Sequence, residues 1–200
     1  MSNATVWVVD DDEAVCDSLQ LLLTTVGLES KAFPDGPSFL RAYDAEQPGC
    51  VVVDLRMPGM SGLELQEALH QRNALSPVIF ITGHGTVDSA VHAMRAGAID
   101  FLQKPFDDEV LLDTIQRAIR LDGEARASLQ QRDMIAALEK TLTSREREVM
   151  ALVVEGKANK VIAFDLGVSE RTIEIHRSRV MKKMEAKSLP HLVRMAILIG

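Results

Sequence analysis

The chain has 200 residues, 46% hydrophobic and 26% charged, with a formal net charge of −7. That composition is globular and excludes a disordered or fibrous chain. Two cysteines make no disulfide framework, no lysine-led apolar signal opens the chain, and no apolar run approaches the length of a membrane span, so a cytoplasmic protein with no membrane contact is expected.

The charge is uneven. Residues 1–125 hold 8 Lys and Arg against 20 Asp and Glu, and residues 141–200 hold 11 against 7. An acidic first part and a basic last part imply two domains with different partners. The basic part has one aromatic, Phe164, which argues against single-strand recognition by base stacking.

In chain order, "TVWVVD" reads as a strand and "EAVCDSLQLLLTTVG" as a helix ended by Gly27. "LESKAF" is a weaker strand, followed by the helix "GPSFLRAYDA", opened by Ser38. "CVVVDL" is the third strand and "SGLELQEALHQR" the next helix. "PVIFITG" is the fourth strand. In the helix "VDSAVHAMRAG" after it, Val87, Ala90, Val91 and Met94 read as the core face. "DFLQKP" is a short fifth strand and "DDEVLLDTIQRAIRL" the fifth helix. Five β/α units in alternation imply a parallel sheet with helices on both faces.

Residues 121–142 are polar and helix-prone. Leu121, Ser128, Ile135 and Leu142 recur every seven residues, but the complementary Glu124 and Gln131 are polar, with only Leu138 apolar. A solvated helical linker is therefore favoured over a coiled coil. From Thr143 the pattern is all helix. Thr143 and Glu146 form a capping box, and that helix ends near Gly156. A second helix runs roughly over 157–166 and stops at Gly167. Ser169 caps a third, reaching about Met184, and Ser188 with Pro190 opens a fourth.

Asp10, Asp11 and Asp12 end the first strand, and Asp54 ends the third. In a parallel sheet of order 2-1-3-4-5, both fall beside the crevice where strand order reverses. Carboxylates that close need a cation, and an all-oxygen set suits a hard ion such as Mg²⁺, with Mn²⁺ as a substitute. Thr82 ends the fourth strand and Lys104 the fifth, on the same edge. A carboxylate, a divalent cation, a hydroxyl and an ammonium make a phosphoryl-acceptor set, with Asp54 as nucleophile and Lys104 and Thr82 on the transferring oxygens. Asp12 reads more simply as the cap of the first helix, His84 as a structural or solvated loop residue rather than a phosphoryl carrier, and Cys50 as a buried thiol rather than a redox sensor.

With "VVDDD", "VVVDLRMPGMSG", "FITGHG" and "KPF" in order, residues 3–122 resemble the receiver domain of two-component response regulators. The resemblance implies a flavodoxin-like (βα)5 fold and phosphoryl transfer to Asp54 from a sensor histidine kinase. It implies Mg²⁺ bound by Asp11, Asp54 and the backbone carbonyl of Arg56, with Asp10 acting through water. It also implies a cis peptide between Lys104 and Pro105 and a switch role for Thr82 and Phe101. Phosphatases of the haloacid-dehalogenase type also use an aspartyl nucleophile, but they carry a second Asp two residues later. Arg56 stands there, so an enzyme is not expected.

"NKVIAFDLGVSERTIEIHRSRVMKKM" reads as a helix-turn-helix. Ala163 permits close crossing, Gly167 supplies the turn, and Val168 and Ile173 are the apolar plugs. Arg171, Arg177, Arg179, Lys182 and Lys183 on one helix form a phosphate footprint, although an ordinary basic amphipathic helix has the same composition. From about Thr141 to the end, "LTSREREVMALVVEGKANKVIAFDLGVSERTIEIHRSRVMKKM" resembles the four-helix LuxR-type DNA-binding domain. Receiver plus this module is the NarL/FixJ class, and the wording is closest to its FixJ/TodT/StyR branch. The resemblance implies that Glu174, Ile175 and Ser178 face base edges and that Arg171, Thr172, His176, Arg177, Arg179 and Lys182 contact the backbone. Glu174 could accept from cytosine N4 or merely reject wrong sites.

The expected organisation is a receiver at 1–122, a helical linker at 123–140 and a LuxR-type domain at 141–200. The expected partners are a histidine kinase, promoter DNA, RNA polymerase and a second copy docked through the face of the fourth helix, fifth strand and fifth helix. Two rivals are a receiver with a vestigial helix-turn-helix, disfavoured by the cation count, and a regulator that binds DNA without phosphorylation, for which Asp11, Thr82 and Lys104 would be unneeded.

Overall fold

The computed structural model describes residues 4–83 and 85–199, so His84 lies outside the described residues. The chain divides into two compact units between Arg126 and Ala127.

In the first unit, β1 (Thr5–Val9), β2 (Glu29–Phe33), β3 (Gly49–Asp54), β4 (Val78–Thr82) and β5 (Asp100–Gln103) form one parallel sheet in the order β2-β1-β3-β4-β5. The helices α1 (Glu13–Thr25), α2 (Gly36–Ala42), α3 (Gly62–Gln71), α4 (Val87–Arg95) and α5 (Asp108–Lys140) connect the strands and follow the last. Every residue of β1, β3 and β4 is buried, which accounts for their unbroken apolar runs: both sheet faces are covered. Side chains alternate between two cores. Trp7, Val9, Val51, Val53 and Phe80 pack with Phe39 of α2, Leu65 of α3 and Ala93 of α4. Val6, Val8, Val52, Ile79 and Ile81 pack with Leu19 of α1 and Leu111 and Ile115 of α5. The register pairs Asp54 with Ile81 and Thr82 with Gln103, which brings the chemical residues to one edge.

Two sequence expectations change. Asp35, not Ser38, opens α2; its carboxylate accepts from Ser38 N at 2.6 Å, and that bond lowers its pKa. Ser38 is shaped like a cap but already lies inside the first turn. The apolar set on α4 is not its core face, because Val87, Val91 and Met94 are 80%, 44% and 47% exposed and only Ala93 is buried. Helical spacing marks an apolar stripe and says nothing of what covers it.

The segment expected as a linker is the C-terminal part of α5. At its start, Asp122 (1% exposed) accepts from Gly49 N at 3.0 Å and from Arg126 Nε at 2.8 Å. Arg126 also donates to the carbonyls of Ala45 and Gln47, at 2.7 and 3.0 Å. This clasp fastens α5 to the N-terminal edge of the sheet. Residues 127–134 are then exposed, and Ile135 is buried in the core of the second unit.

That unit holds α6 (Ser144–Val154), α7 (Asn159–Leu166), α8 (Glu170–Lys183) and α9 (Leu189–Ile199) around Val149, Ile162, Ile173, Val180 and Leu192. Gly167 ends α7 with φ +64°, a left-handed turn residue as expected. The capping box at Thr143 and Glu146 forms, and Lys183 Nζ reaches Glu146 Oε2 at 2.6 Å. That bond comes first among the causes that hold the Glu146 carboxyl down at about 2.

Candidate functional site

Asp10, at the end of β1, and Asp54, the last residue of β3, meet one ammonium. Lys104 Nζ lies 2.6 Å from Asp10 Oδ2 and 3.1 Å from Asp54 Oδ1. Asp54 Oδ2 accepts from Arg56 N at 2.6 Å, so both oxygens of the carboxylate are held. Asp10 and Asp54 are 2% and 7% exposed. Burial raises the Asp10 pKa, against the hydrogen bond from Lys104. For Lys104 burial pulls downward, and the hydrogen bonds to Asp10 and Asp54 outweigh it, so its pKa is raised and its charge secure. The Lys104–Pro105 peptide is cis. Asp12 is the cap of α1, accepting from Ala14 N at 2.9 Å, and is thereby accounted for without chemistry.

Thr82 is 1% exposed, and its carbonyl accepts from Lys104 N at 2.8 Å. Phe101 is half-buried on β5, its ring 6.1 Å from that of Phe80. Gly85 separates Thr82 from Phe101: a Cβ there would lie 2.7 Å from the Phe101 ring and 2.9 Å from the Thr82 methyl. The sequence reading passed over Gly85 as part of "TGHG". Its only signal was a glycine in the loop leaving an active strand end.

Among the described residues no cluster of three His, Cys, Asp or Glu side chains is set for a metal. The donor chemistry still suits a small hard cation. Asp10 and Asp54 share one ammonium, Asp11 is exposed beside them, and the Arg56 backbone lies against the Asp54 carboxylate. An ion that keeps several waters needs no third clustered carboxylate. Cys50 is fully buried and its thiol is pushed well above its ordinary pKa by burial, as a structural rather than a reactive thiol would be.

In the second unit α7 and α8 form the helix-turn-helix. Arg171, Glu174, Ile175, Ser178, Arg179 and Lys182 are all exposed, and their spacing places them on one side of α8, opposite buried Ile173 and Val180. Arg179 and Lys182 make no ion pair among the described residues; Arg171 pairs with Glu174 at 3.0 Å. Other expected contacts are turned or occupied. Thr172 shares hydrogen bonds with Ser169 as part of the cap. Arg177 donates to Asn159 Oδ1 at 3.0 Å, and His176 is half-buried with Nδ1 unpartnered among the described residues. Lys183, counted in the basic footprint, is committed to Glu146 and the Thr141 carbonyl.

Residues 6–116 match the response regulator receiver domain, and residues 140–196 match the luxR family of bacterial regulatory proteins. The transcriptional regulatory protein FixJ of Rhizobium meliloti is 48% identical over 200 residues, covering 100% of this chain and 98% of that one. The response regulator TodT of Pseudomonas putida is 37% identical over 191 residues, covering 96% and 84%. A solved structure of the response regulator StyR superposes with a TM-score of 0.87 at 43% identity, covering 98% of both chains. With a receiver sheet carrying the acidic edge and a helix-turn-helix unit following it in sequence, the chain belongs to the NarL/FixJ class of two-component response regulators.

Proposed function

We propose that the chain is a cytoplasmic transcription regulator switched by phosphorylation of Asp54. The observation that carries this reading is the Lys104 ammonium bridging Asp10 and Asp54 at the carboxyl edge of the sheet. An Asp54 oxygen attacks the phosphorus of a phosphohistidine on a sensor kinase. The O–P bond forms as the P–N bond breaks, and the imidazole leaves with the electron pair. Asp11, Asp54 and the Arg56 carbonyl, with Asp10 through water, would hold Mg²⁺, which when bound would supply positive charge for the phosphoryl oxygens. Lys104 exchanges its contact with Asp54 for a phosphoryl oxygen, and the Thr82 hydroxyl turns to another.

Movement of Thr82 vacates space beside Gly85, and Phe101 follows inward. The face of α4, β5 and α5 then accepts a second copy, burying the exposed Val87, Val91 and Met94. Two copies of α8 occupy two half-sites on promoter DNA, with Arg179 and Lys182 on phosphates and Ile175 and Ser178 at base edges. Recruitment of RNA polymerase from that position activates transcription.

The test is fluorescence anisotropy with duplex promoter DNA over a salt series, with and without acetyl phosphate and Mg²⁺. Phosphodonor should tighten binding at least tenfold while the salt slope stays steep. Equal affinity in both conditions would return the chain to the phosphorylation-independent class.

A further inference from the structure

Helix α4 is held to the sheet by little apolar contact: Ala93 is its only fully buried side chain. A second restraint comes from α3. Gln66 is 1% exposed, and its Nε2 donates to the carbonyls of Ala96, at 3.1 Å, and Ala93, at 3.5 Å. Both lie at the C-terminal end of α4; the Ala93 carbonyl already accepts from Ala98 N at 3.0 Å, so the shorter bond, to the carbonyl of the capping residue Ala96, carries the restraint. Gln66 Oε1 is buried with no partner among the described residues. A buried carboxamide satisfied on one side only is a poor stabiliser compared with an apolar side chain of the same size, so packing does not explain a glutamine there.

The frame that carries Gln66 is fixed. Leu65 and Leu69 beside it are in the core, and Gly62 N, at the start of α3, donates to Leu55 O next to Asp54 at 3.0 Å. The other end of α4 has a different connection: it follows Thr82 and Gly85, which is wedged against Thr82 and the Phe101 ring. One end of α4 is thus tied to the reacting edge and the other to a rigid helix.

We infer that Gln66 is a positioning residue, the pivot about which α4 turns when Asp54 is phosphorylated. Pinned at its C-terminal end, α4 converts a small displacement at Thr82 into a defined rotation of its exposed face. Without the pin the same displacement loosens the helix, and a second copy must order it again on docking. The inference rests on the proposed switching of the α4 face by phosphate.

The test uses the full chain, acetyl phosphate and Mg²⁺, and compares wild type with Gln66→Met. Phosphate per chain is read by intact mass, dimerisation by sedimentation and backbone protection by hydrogen exchange. Equal phosphate, a dimer dissociation constant raised at least fivefold and faster exchange over residues 93–98 are expected of the variant. Dimerisation equal to wild type at equal phosphate overturns the pivot. A purely structural role would lower melting temperature and phosphate uptake together, and that outcome also overturns it. Wild-type exchange gives a second reading that needs no variant: phosphorylation should alter residues 86–91 and leave 93–98 unchanged, and a uniform change along α4 counts against the pivot. A wild type that takes phosphate and stays monomeric removes the underlying reading, and the pivot with it.

Discussion

Both oxygens of Asp54 are engaged, Oδ1 by Lys104 and Oδ2 by the Arg56 amide, so the carboxylate is fixed in orientation. Replacing Lys104 with Ala leaves Asp10 and Asp54 facing each other without their shared cation. Phosphate uptake from acetyl phosphate should fall by roughly 10²-fold in a mass-detected time course, comparable to loss of one electrostatic contact in a transition state. Glu146 offers an independent prediction in the other unit. Its folded pKa of about 2 lies below its ordinary value of 4.5. Its contribution is therefore present above the unfolded pKa and lost as pH falls from about 4.5 to about 2. Lys183 is 35% exposed, so screening limits that contribution to about 1 kcal/mol or less. Glu146→Gln should flatten the acid limb of a melting-temperature profile over that window; an unchanged limb would place the stabilisation elsewhere. That Asp10, Asp54, Thr82 and Lys104 gather at one edge was legible in the sequence because each lies at the end of a strand, and a parallel sheet collects strand ends on one edge. Gln66 and Gly85 were not, because a glutamine inside a helix and a glycine in a loop acquire meaning only from distant neighbours.

At the scale of elements, α8 sorts its own side chains. The face bearing Arg179 and Lys182 is open, whereas Arg177 and Lys183 are drawn into contacts with Asn159 and Glu146. Arg179→Ala should weaken binding to all duplexes alike and lower the salt slope by about 1, whereas Ile175→Ala should alter preference at one base pair. Both follow from anisotropy titrations on a small operator panel. A list of cations could not separate these residues, because a basic side chain near a helix end serves a neighbouring carboxylate as readily as a phosphate. In α5 the buried Asp122–Arg126 pair fixes the point where the helix leaves the sheet. Asp122→Ala leaves Arg126 Nε and the Gly49 amide without their acceptor, and the guanidinium without its counter-charge, and should cost about 3 kcal/mol. In calorimetry that should lower the melting of the first unit by roughly 10 °C and leave the second unchanged. Equal loss in both would show that the clasp is not local to the sheet. The linker expectation missed it because Asp122 and Arg126 resemble an ordinary exposed helical ion pair in sequence.

Taken whole, the molecule joins an acidic unit whose candidate site lies at one sheet edge to a basic unit whose α8 exposes Arg179 and Lys182. The family pattern and the alternation of five strands and helices were readable from the start, because hydrophobic period and turn residues are local. The exposed face of α4 was misread, because burial is a property of the assembled fold. Moving such a switch from mostly off to mostly on needs about 5.5 kcal/mol, which phosphate, a second copy and DNA can divide. The claim that Asp54 is the switch is tested most directly by intact mass and sedimentation after acetyl phosphate and Mg²⁺, on wild type and Asp54→Asn. One phosphoryl group per wild-type chain with a shift to dimer, and neither in Asp54→Asn, is the predicted result. Phosphate on both proteins, or a phosphorylated wild type that remains monomeric, would contradict it.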